Sequence, residues 1–194
     1  MESAPWLSQI NIRILAKQDL RELEWEGEYT HFRRVYVDAY DRAISGKSVL
    51  WIAEINKPLP SVGLQPSSGI VGQLFVQLIC DRPELADGSQ KGYIYGFRVR
   101  PTYRSGGLGT RMLTVAEADL QRRGFHIATL NVAQVNNNAR RLYERMGYKV
   151  IAFDPGRWSY PDDKGVWQSI EEPAWRMEKF LRDNKHSFSG GNPT

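Results

Sequence analysis

The chain has 194 residues, of which 41% are hydrophobic, 25% charged and 11% aromatic, a composition typical of one globular domain. No apolar run reaches membrane-spanning length, and the first ten residues lack the basic and apolar blocks of a signal peptide. The net charge of +4 suits an anionic ligand. The basic residues are dispersed and form no recognition-helix or stacking pattern, which disfavours a nucleic-acid-binding protein and predicts no nucleic-acid or membrane partner.

Cysteine and histidine residues are few. The single cysteine, Cys80, cannot form an internal disulfide, which is typical of a reducing compartment such as the cytoplasm. Because it closes the apolar run GQLFVQLIC, we expect a buried small hydrophobic residue rather than a catalytic nucleophile. His31, His126 and His186 have no metal-ligand spacing to another histidine or cysteine, so no metal site is predicted.

The first part of the chain predicts a strand, a helical region and two more strands. INIRIL, at 10–15, alternates apolar and polar residues as a strand does. Residues 17–44 carry apolar side chains at helical spacing. Strands are predicted at 49–55 and 69–79, with a Pro-, Gly- and Ser-rich surface loop at 56–68 between them.

The second part alternates strands and helices. A strand at 92–100 precedes the glycine-rich stretch RSGGLG, and a helix then runs from Gly109 to Arg123 with Gly124 at its C-terminal cap. The remaining predicted elements are a strand at 127–133, a helix within 136–147, and strands at 148–153 and 174–180. This order predicts an α/β (α+β) fold in which helices pack on a mixed sheet. Residues 1–180 are predicted to form one domain and residues 181–194 a disordered tail.

The glycine-rich stretch needs a reason beyond stability, because glycine loses more backbone freedom on folding than any other residue. A strand followed by a glycine-rich loop and a helix N-terminus is a general device for binding anions. Arg104 adds positive charge at the mouth of this loop. The spacing does not match the P-loop or the dinucleotide-binding fingerprint, since no Lys-Ser or Lys-Thr follows and Met112 replaces the third glycine.

A second motif, VNNNARRLYERMGY at 135–148, follows the glycine loop along the chain and helps to interpret it. Together the two stretches resemble the GNAT superfamily of N-acetyltransferases, and the resemblance covers about residues 92–153. The phosphate-loop pattern R/Q-x-x-G-x-G/A is matched by Arg104, Gly107 and Gly109. The second pattern, N-x-x-A-x-x-L-Y-x-x-x-G-F/Y, is matched by Asn136, Ala139, Leu142, Tyr143, Gly147 and Tyr148.

The resemblance implies a fold and a cofactor. The fold would be a mixed, mostly antiparallel sheet of about seven strands, flanked by about four helices. Its fourth and fifth strands, here 92–100 and 127–133, would splay apart and hold acetyl-CoA as co-substrate in the gap. No metal is implied.

The resemblance also implies binding residues for acetyl-CoA. Backbone groups at Phe97 and Val99, which flank Arg98, would hold the pantetheine arm and the thioester carbonyl. Asn136 would bond the pantetheine, a role that is compatible with a plain helix N-cap. The pyrophosphate would lie on the backbone amides of Arg104, Ser105, Gly106, Gly107, Leu108, Gly109 and Thr110.

Tyr143 is the predicted catalytic residue. A phenol at the splay, with a pKa above that of the thiol, can give the departing thiolate its proton. The alternative is a core aromatic residue at helical spacing. The general base stays open: some family members have a glutamate where this chain has Tyr93, and Glu54 is either a base or a solvated carboxylate at a strand edge. A water chain, or an amine that arrives neutral, would also serve.

The acceptor side is the less defined half of the predicted site. The segment 156–167 contains Trp158, Tyr160 and Trp167, which indicates either hairpin packing or an aromatic wall for the acceptor. The acidic group Glu22, Glu24, Glu26 and Glu28 forms either a solvated helix face or a surface that attracts an amine.

The sequence thus predicts an acetyl-CoA-dependent N-acetyltransferase of the acyltransferase class, acting on a primary amine by direct transfer in a ternary complex. The alternative is a catalytically inactive CoA-binding domain that acts as a sensor or scaffold. Peptide N-termini, lysines, polyamines and amino sugars remain open as acceptors, and so does a homodimer.

Overall fold

The structure, a computed structural model, describes residues 4–55 and 69–181. The predicted surface loop at 56–68 and His186 lie outside the described residues, as does the predicted tail from residue 182 onward. Leu181, the first residue of that predicted tail, is buried, and its amide donates to the His126 carbonyl at 2.8 Å.

The described residues form nine strands and three α-helices. The strands are β1 (Ile10–Ile14), β2 (Ser48–Ile55), β3 (Ile70–Gln77), β4 (Lys91–Val99), β5 (Ile127–Ala133), β6 (Lys149–Asp154), β7 (Arg157–Pro161), β8 (Trp167–Glu171) and β9 (Ala174–Phe180). The helices are α1 (Arg33–Ile44), α2 (Leu108–Arg122) and α3 (Asn137–Arg145). Short 3₁₀ helices lie at Pro5–Gln9, Lys17–Glu24, Thr30–Phe32 and Pro101–Tyr103.

Seven of the strands form one sheet in the order β1-β2-β3-β4-β5-β9-β6. All neighbours are antiparallel except β4 and β5, which are parallel. β7 and β8 pair separately as a hairpin. The predicted mixed, mostly antiparallel sheet of seven strands is therefore confirmed, with three α-helices and the longest 3₁₀ helix beside it.

The sheet opens between β4 and β5. Their pairing runs only from Lys91–Ile127 to Ile94–Leu130, whereas the two strands continue to Val99 and Ala133. On its other edge β4 has a bulge against β3, where Gly96 adopts a positive φ of 56°. The bulge bends β4 at the point where pairing with β5 stops, and a gap results.

Apolar side chains cover both faces of the sheet. One face packs against α2 and α3, with Met112, Leu113 and Tyr143 in its core. The other face packs against α1, with Tyr36 and Ala39 in its core. We call this second one the α1 face.

The region predicted to be helical, 17–44, is interrupted. The 3₁₀ helix Lys17–Glu24 ends in a turn where Trp25 and Glu26 have positive φ values of 44° and 59°. Trp25 is buried in that turn, so burial of one large side chain outweighs helical periodicity. α1 starts only at Arg33.

The prediction of a buried Cys80 was wrong. β3 ends at Gln77, three residues earlier, so Cys80 lies in the loop that follows and is only partly buried. Its thiol donates to the Arg82 carbonyl at 3.2 Å.

Candidate active site

The glycine-rich loop exposes a row of backbone donors. Within the described part of the chain, the six amides from Ser105 to Thr110 have no hydrogen-bond acceptor, and α2 has no side-chain N-cap. The first bond of the helix runs from the Arg111 amide to the Gly107 carbonyl at 3.0 Å. Ser105 and Gly107 have positive φ values of 60° and 94°, which turns successive amides toward a common side. This loop can bind an anion such as a phosphate.

One predicted member of the loop, Arg104, differs from the rest. The Arg104 amide donates to the Pro101 carbonyl at 3.2 Å, so it is not among the free donors. The Arg104 side chain is exposed and donates from Nε to the Val99 carbonyl at 2.8 Å. Its charge lies beside the loop, as the sequence predicted, but it also fixes the end of β4.

The three glycines also have structural reasons that the sequence did not reveal. A Cβ on Gly106 would lie 2.4 Å from the Trp6 ring, and one on Gly109 would lie 3.2 Å from Leu142. Gly107 is required mainly for its positive φ. The groups that come close to these glycines are therefore protein side chains, and the phosphate would contact the opposite, amide-bearing side.

An N-terminal segment, residues 4–9, supports the loop from behind and was missed by sequence reasoning. The Trp6 ring packs edge-on against the Tyr103 ring, with 5.1 Å between the ring centroids. The Ala4 amide donates to the Gly106 carbonyl at 3.5 Å, and Arg111 Nη1 donates to the Leu7 carbonyl at 2.7 Å. Because these contacts join residues about a hundred positions apart, no local pattern indicates them.

The end of β4 presents backbone groups to the gap. The Arg100 amide donates to the Val71 carbonyl on β3, and since amides alternate along a strand, the backbone groups of Val99 point away from β3. The Phe97 side chain packs on the α2 side of the sheet. The Arg98 side chain lies on the α1 face, with its guanidinium carbon 3.9 Å from the centroid of the Tyr29 ring.

α3 carries Asn136 and Tyr143 to the gap. Asn136 Oδ1 accepts from the Ala139 amide at 3.1 Å, which confirms the N-cap. Tyr143 is 7% exposed and packs edge-on against Tyr148 at 5.9 Å. Burial raises the pKa of Tyr143, and the neighbouring Tyr93 phenol raises it further, so the hydroxyl is protonated at neutral pH.

Tyr93 stacks on Tyr95 at 5.8 Å, and both lie on the α1 face of β4. Tyr143 belongs to the core of the opposite face, yet the Tyr93 phenol adds to the effect of burial in raising the pKa of Tyr143, so the two hydroxyls face each other across the gap. The Tyr143 side chain therefore approaches the gap from the α2 side of the sheet.

Two carboxylates are candidates for the general base, and both are already in ion pairs. Glu54, on β2, pairs with Arg13 of the edge strand β1 at 2.9 Å, so it is a structural carboxylate that links the two strands. Asp154, which sequence reasoning missed, accepts hydrogen bonds from Arg82 at 2.6 Å and Asn131 at 3.0 Å. Burial opposes its charge, but these bonds and one from the Gly156 amide lower the pKa of Asp154.

The predicted aromatic wall forms in part. Phe32 contacts Tyr160 at 4.9 Å and Trp158 at 6.1 Å between ring centroids, so the hairpin packs against the start of α1. Trp158 and Tyr160 also stack on each other at 5.1 Å. Trp167 is 70% exposed on β8 and, among the described residues, makes no ring contact with this group. Hairpin packing and an aromatic surface thus coexist.

The expectation of a solvated acidic face was wrong for Glu24. Glu24 is 7% exposed and accepts hydrogen bonds from Arg33 at 2.7 and 2.8 Å and from Thr30 at 2.7 Å. Glu26 pairs with Arg100 at 2.7 Å. Glu22 and Glu28 are exposed and form no ion pair within the described residues, so two of the four predicted acidic side chains are neutralised.

Comparison with known proteins agrees with this geometry. Residues 17–148 match the model of the acetyltransferase (GNAT) family, which is more than half of the chain. This chain belongs to the GNAT family. The probable N-acetyltransferase camello from Xenopus tropicalis is 28% identical over 135 residues, which cover 64% of this GNAT chain and 53% of the relative. The GNAT chain therefore spans about half the length of that curated relative.

Solved structures show the same fold. The ribosomal-protein-S18-alanine N-acetyltransferase from Escherichia coli is 17% identical, with a TM-score of 0.60 and coverage of 93% of this GNAT chain and 99% of its own. NAA60 from Arabidopsis thaliana, in complex with a bisubstrate analogue, is 18% identical, with a TM-score of 0.62 and coverage of 89% and 99%. Spermidine N-acetyltransferase from Vibrio cholerae, in complex with CoA and spermine, is 15% identical, with a TM-score of 0.59 and coverage of 90% and 96%.

Across residues 4–55 and 69–181, this GNAT chain has no helix that is both long and apolar enough to cross a membrane.

Proposed function

We propose that this protein is an acetyl-CoA-dependent N-acetyltransferase that acts on a primary amine. The observation that carries the proposal is the row of six unpaired amides at the N-terminus of α2, beside a gap in the sheet that contains a buried phenol. Acetyl-CoA supplies the acetyl group as a thioester. Family membership, and relatives described as N-acetyltransferases, support the same activity.

The amides from Ser105 to Thr110 would hold the pyrophosphate, with Arg104 adding charge beside them. The backbone groups of Val99, together with those of Phe97, would hold the pantetheine arm and the thioester carbonyl. Asn136 uses Oδ1 for its helix, which leaves its side-chain N–H groups as donors to the pantetheine.

Tyr143 would act as the general acid. The neutral amine forms its bond to the acetyl carbon and releases one N–H proton to water, while the Tyr143 hydroxyl gives one proton to the sulfur as the carbon–sulfur bond breaks. Solvent restores the proton on Tyr143. Since Glu54 and Asp154 are both engaged in ion pairs, we propose that the amine attacks after losing its proton to water.

Direct transfer is the mechanism that a two-sided gap favours. The anion-binding loop lies at the N-terminus of α2, whereas the aromatic hairpin and α1 lie on the other face, so the two substrates can be bound together. Initial-rate kinetics with varied acetyl-CoA and amine test this. Intersecting double-reciprocal lines support a ternary complex, and parallel lines would show a covalent acetyl-enzyme instead.

An acceptor screen that follows thiol release from acetyl-CoA tests the activity itself. Release that depends on an amine supports the proposal. Cofactor binding, seen as an increase in melting temperature with acetyl-CoA, without release for any amine would identify the CoA-binding sensor or scaffold instead.

A further inference from the structure

The guanidinium of Arg98 has no counterion within residues 4–55 and 69–181 of the protein. Its carbon lies 3.9 Å from the centroid of the Tyr29 ring and 5.3 Å from that of Phe32. Nη1 is buried and has no hydrogen-bond partner among the described residues. An enclosed cation without a paired acceptor is costly, and contact with aromatic rings offsets only part of that cost.

Two carboxylates of the acidic stretch are bound to other arginines. Glu24 is bound to Arg33 through both of its oxygens, and Glu26 pairs with Arg100. Glu28 is exposed and hydrogen-bonds with the Tyr29 hydroxyl, and it forms no ion pair with Arg98. Within the described residues, the acidic stretch that precedes α1 therefore provides no counterion for Arg98.

The Tyr36 hydroxyl lies next to Arg98 and adds no counter-charge. It is buried, and the ring centroid of Tyr36 is 5.7 Å from the Arg98 guanidinium carbon. Burial raises the pKa of Tyr36 to about 12, although the Arg98 charge and a hydrogen bond with Arg98 act to lower it, so the hydroxyl is neutral at pH 7. A guanidinium that has a neutral phenol beside it and no counterion is suited to an anionic oxygen ligand.

This pair lies on the acceptor side of the gap. Arg98 follows Phe97 directly on β4 and points to the α1 face, which also carries the Tyr93 and Tyr95 rings and faces away from the α2 loop. Arg98, Tyr29 and Phe32 are only partly buried, so a ligand can reach them from solvent. Sequence reasoning considered Arg98 only for its backbone, because nothing local distinguishes an unpaired arginine from a paired one.

We propose that the Arg98 guanidinium binds a carboxylate of the acceptor, so that the acceptor is an amino-acid-type amine. This inference rests on the proposed acetyl transfer. A guanidinium presents parallel N–H donors that match a carboxylate in two bonds. The rings of Tyr29 and Phe32 supply apolar contact for the rest of the molecule. A polyamine does not suit this position, because its ammonium groups would face an unneutralised guanidinium.

The kinetic test compares L-amino acids with their carboxamides in the thiol-release assay, at equal concentrations of the neutral amine, and includes spermidine. We expect at least one amino acid to exceed its carboxamide by roughly tenfold or more in kcat/KM, and to exceed spermidine. Arg98→Gln should remove the preference for the carboxylate while the KM for acetyl-CoA stays unchanged. Arg122→Gln, at an exposed arginine of α2 that pairs with Asp119, is the matched control and should keep it.

Equal rates for every acid and its amide, a preference for spermidine, or a preference that survives in folded Arg98→Gln would overturn the proposal. A binding assay separates it from the proposed activity: N-acetyl amino acids should raise the melting temperature in the presence of CoA more than their amides do, and Arg98→Gln should lose the difference. Such binding without thiol release would support the carboxylate site and contradict the transferase. No difference in binding would overturn the carboxylate site even if thiol is released from other amines.

Discussion

At the scale of single residues, Tyr143 combines a buried ring with a hydroxyl that keeps its proton at neutral pH. The sequence left two roles open, core aromatic residue and general acid. The structure buries the ring against Tyr148 and raises the pKa of its hydroxyl. A phenol that keeps its proton at neutral pH is what a leaving thiolate requires, so the two roles do not exclude each other.

Tyr143→Phe keeps the ring and removes the proton donor. We expect kcat to fall roughly tenfold to a thousandfold, with the KM for acetyl-CoA nearly unchanged. Steady-state kinetics with the best acceptor measure both constants. Tyr40→Phe, on α1 and outside the gap, is the control and should leave both unchanged. A wild-type kcat in Tyr143→Phe would assign Tyr143 to the core alone.

At the scale of elements, the glycine loop depends on its conformation and on its neighbours. Its amides are free because Gly107 has a positive φ and because residues 4–9 hold the carbonyl side. The hairpin β7–β8 is the element that we propose contacts the acceptor, and ring contacts with Phe32 hold it in place.

Gly107→Val should abolish the increase in melting temperature that acetyl-CoA produces. A β-branched residue at a φ of 94° is strained, so the loop would rearrange and its amides would no longer converge. Differential scanning fluorimetry with and without acetyl-CoA measures the shift. Gly46→Val carries a similar strain at a φ of 74° away from the loop, and it should lower the basal melting temperature but keep the ligand-induced increase. An unchanged increase in folded Gly107→Val would contradict the phosphate-binding role.

Trp158→Ala should raise the KM for the amine by roughly tenfold, or change which amine is used, with little change in the KM for acetyl-CoA. The ring stacks with Tyr160 and lies against Phe32, on the side opposite the anion-binding loop. Trp167→Ala, on the same hairpin but 70% exposed, is the matched control and should change neither constant. A loss confined to acetyl-CoA binding would mean that the two sides of the gap are assigned the wrong way round.

At the scale of the whole molecule, ion pairs join different elements of the fold. Glu24 is bound by Arg33, whose hydrogen bonds lower the pKa of Glu24 against the effect of burial. For Asp19 and Asp154, burial opposes the charge, but hydrogen bonds from Arg13 and Arg82 lower the pKa of each carboxyl group. These carboxylates fasten the segment before α1 and the end of β6 to the sheet.

The protein should therefore lose stability in acid. A carboxylate whose pKa is lower in the folded state stabilises that state above the pKa of the unfolded chain, about 4, and this stabilisation is lost as the pH falls further. We expect the free energy of unfolding to be nearly constant from pH 7 to 5 and to decrease below that, as urea titrations measure. Glu24→Gln should lower stability at pH 7 and flatten the decrease, whereas Glu172→Gln, at an exposed position, should do neither. An equally steep decrease in Glu24→Gln would assign the acid sensitivity to other groups.

The sequence alone determined the seven strands of the main sheet, the glycine loop, the motif on α3 and hence the family, because these depend on local periodicity, on turn chemistry and on short spacings. It did not predict β7 and β8, which lie in and beside the segment 156–167. The tertiary structure decided the rest of the site. Phe32 contacts Tyr160, and Trp6 packs against Gly106, because the fold brings distant segments together. Glu24 is bound by Arg33 and not by solvent, because the turn after the 3₁₀ helix places the two side chains side by side. Arg98 makes the difference plain: whether an arginine has a counterion depends on every neighbour in space, which the order of residues along the chain does not state.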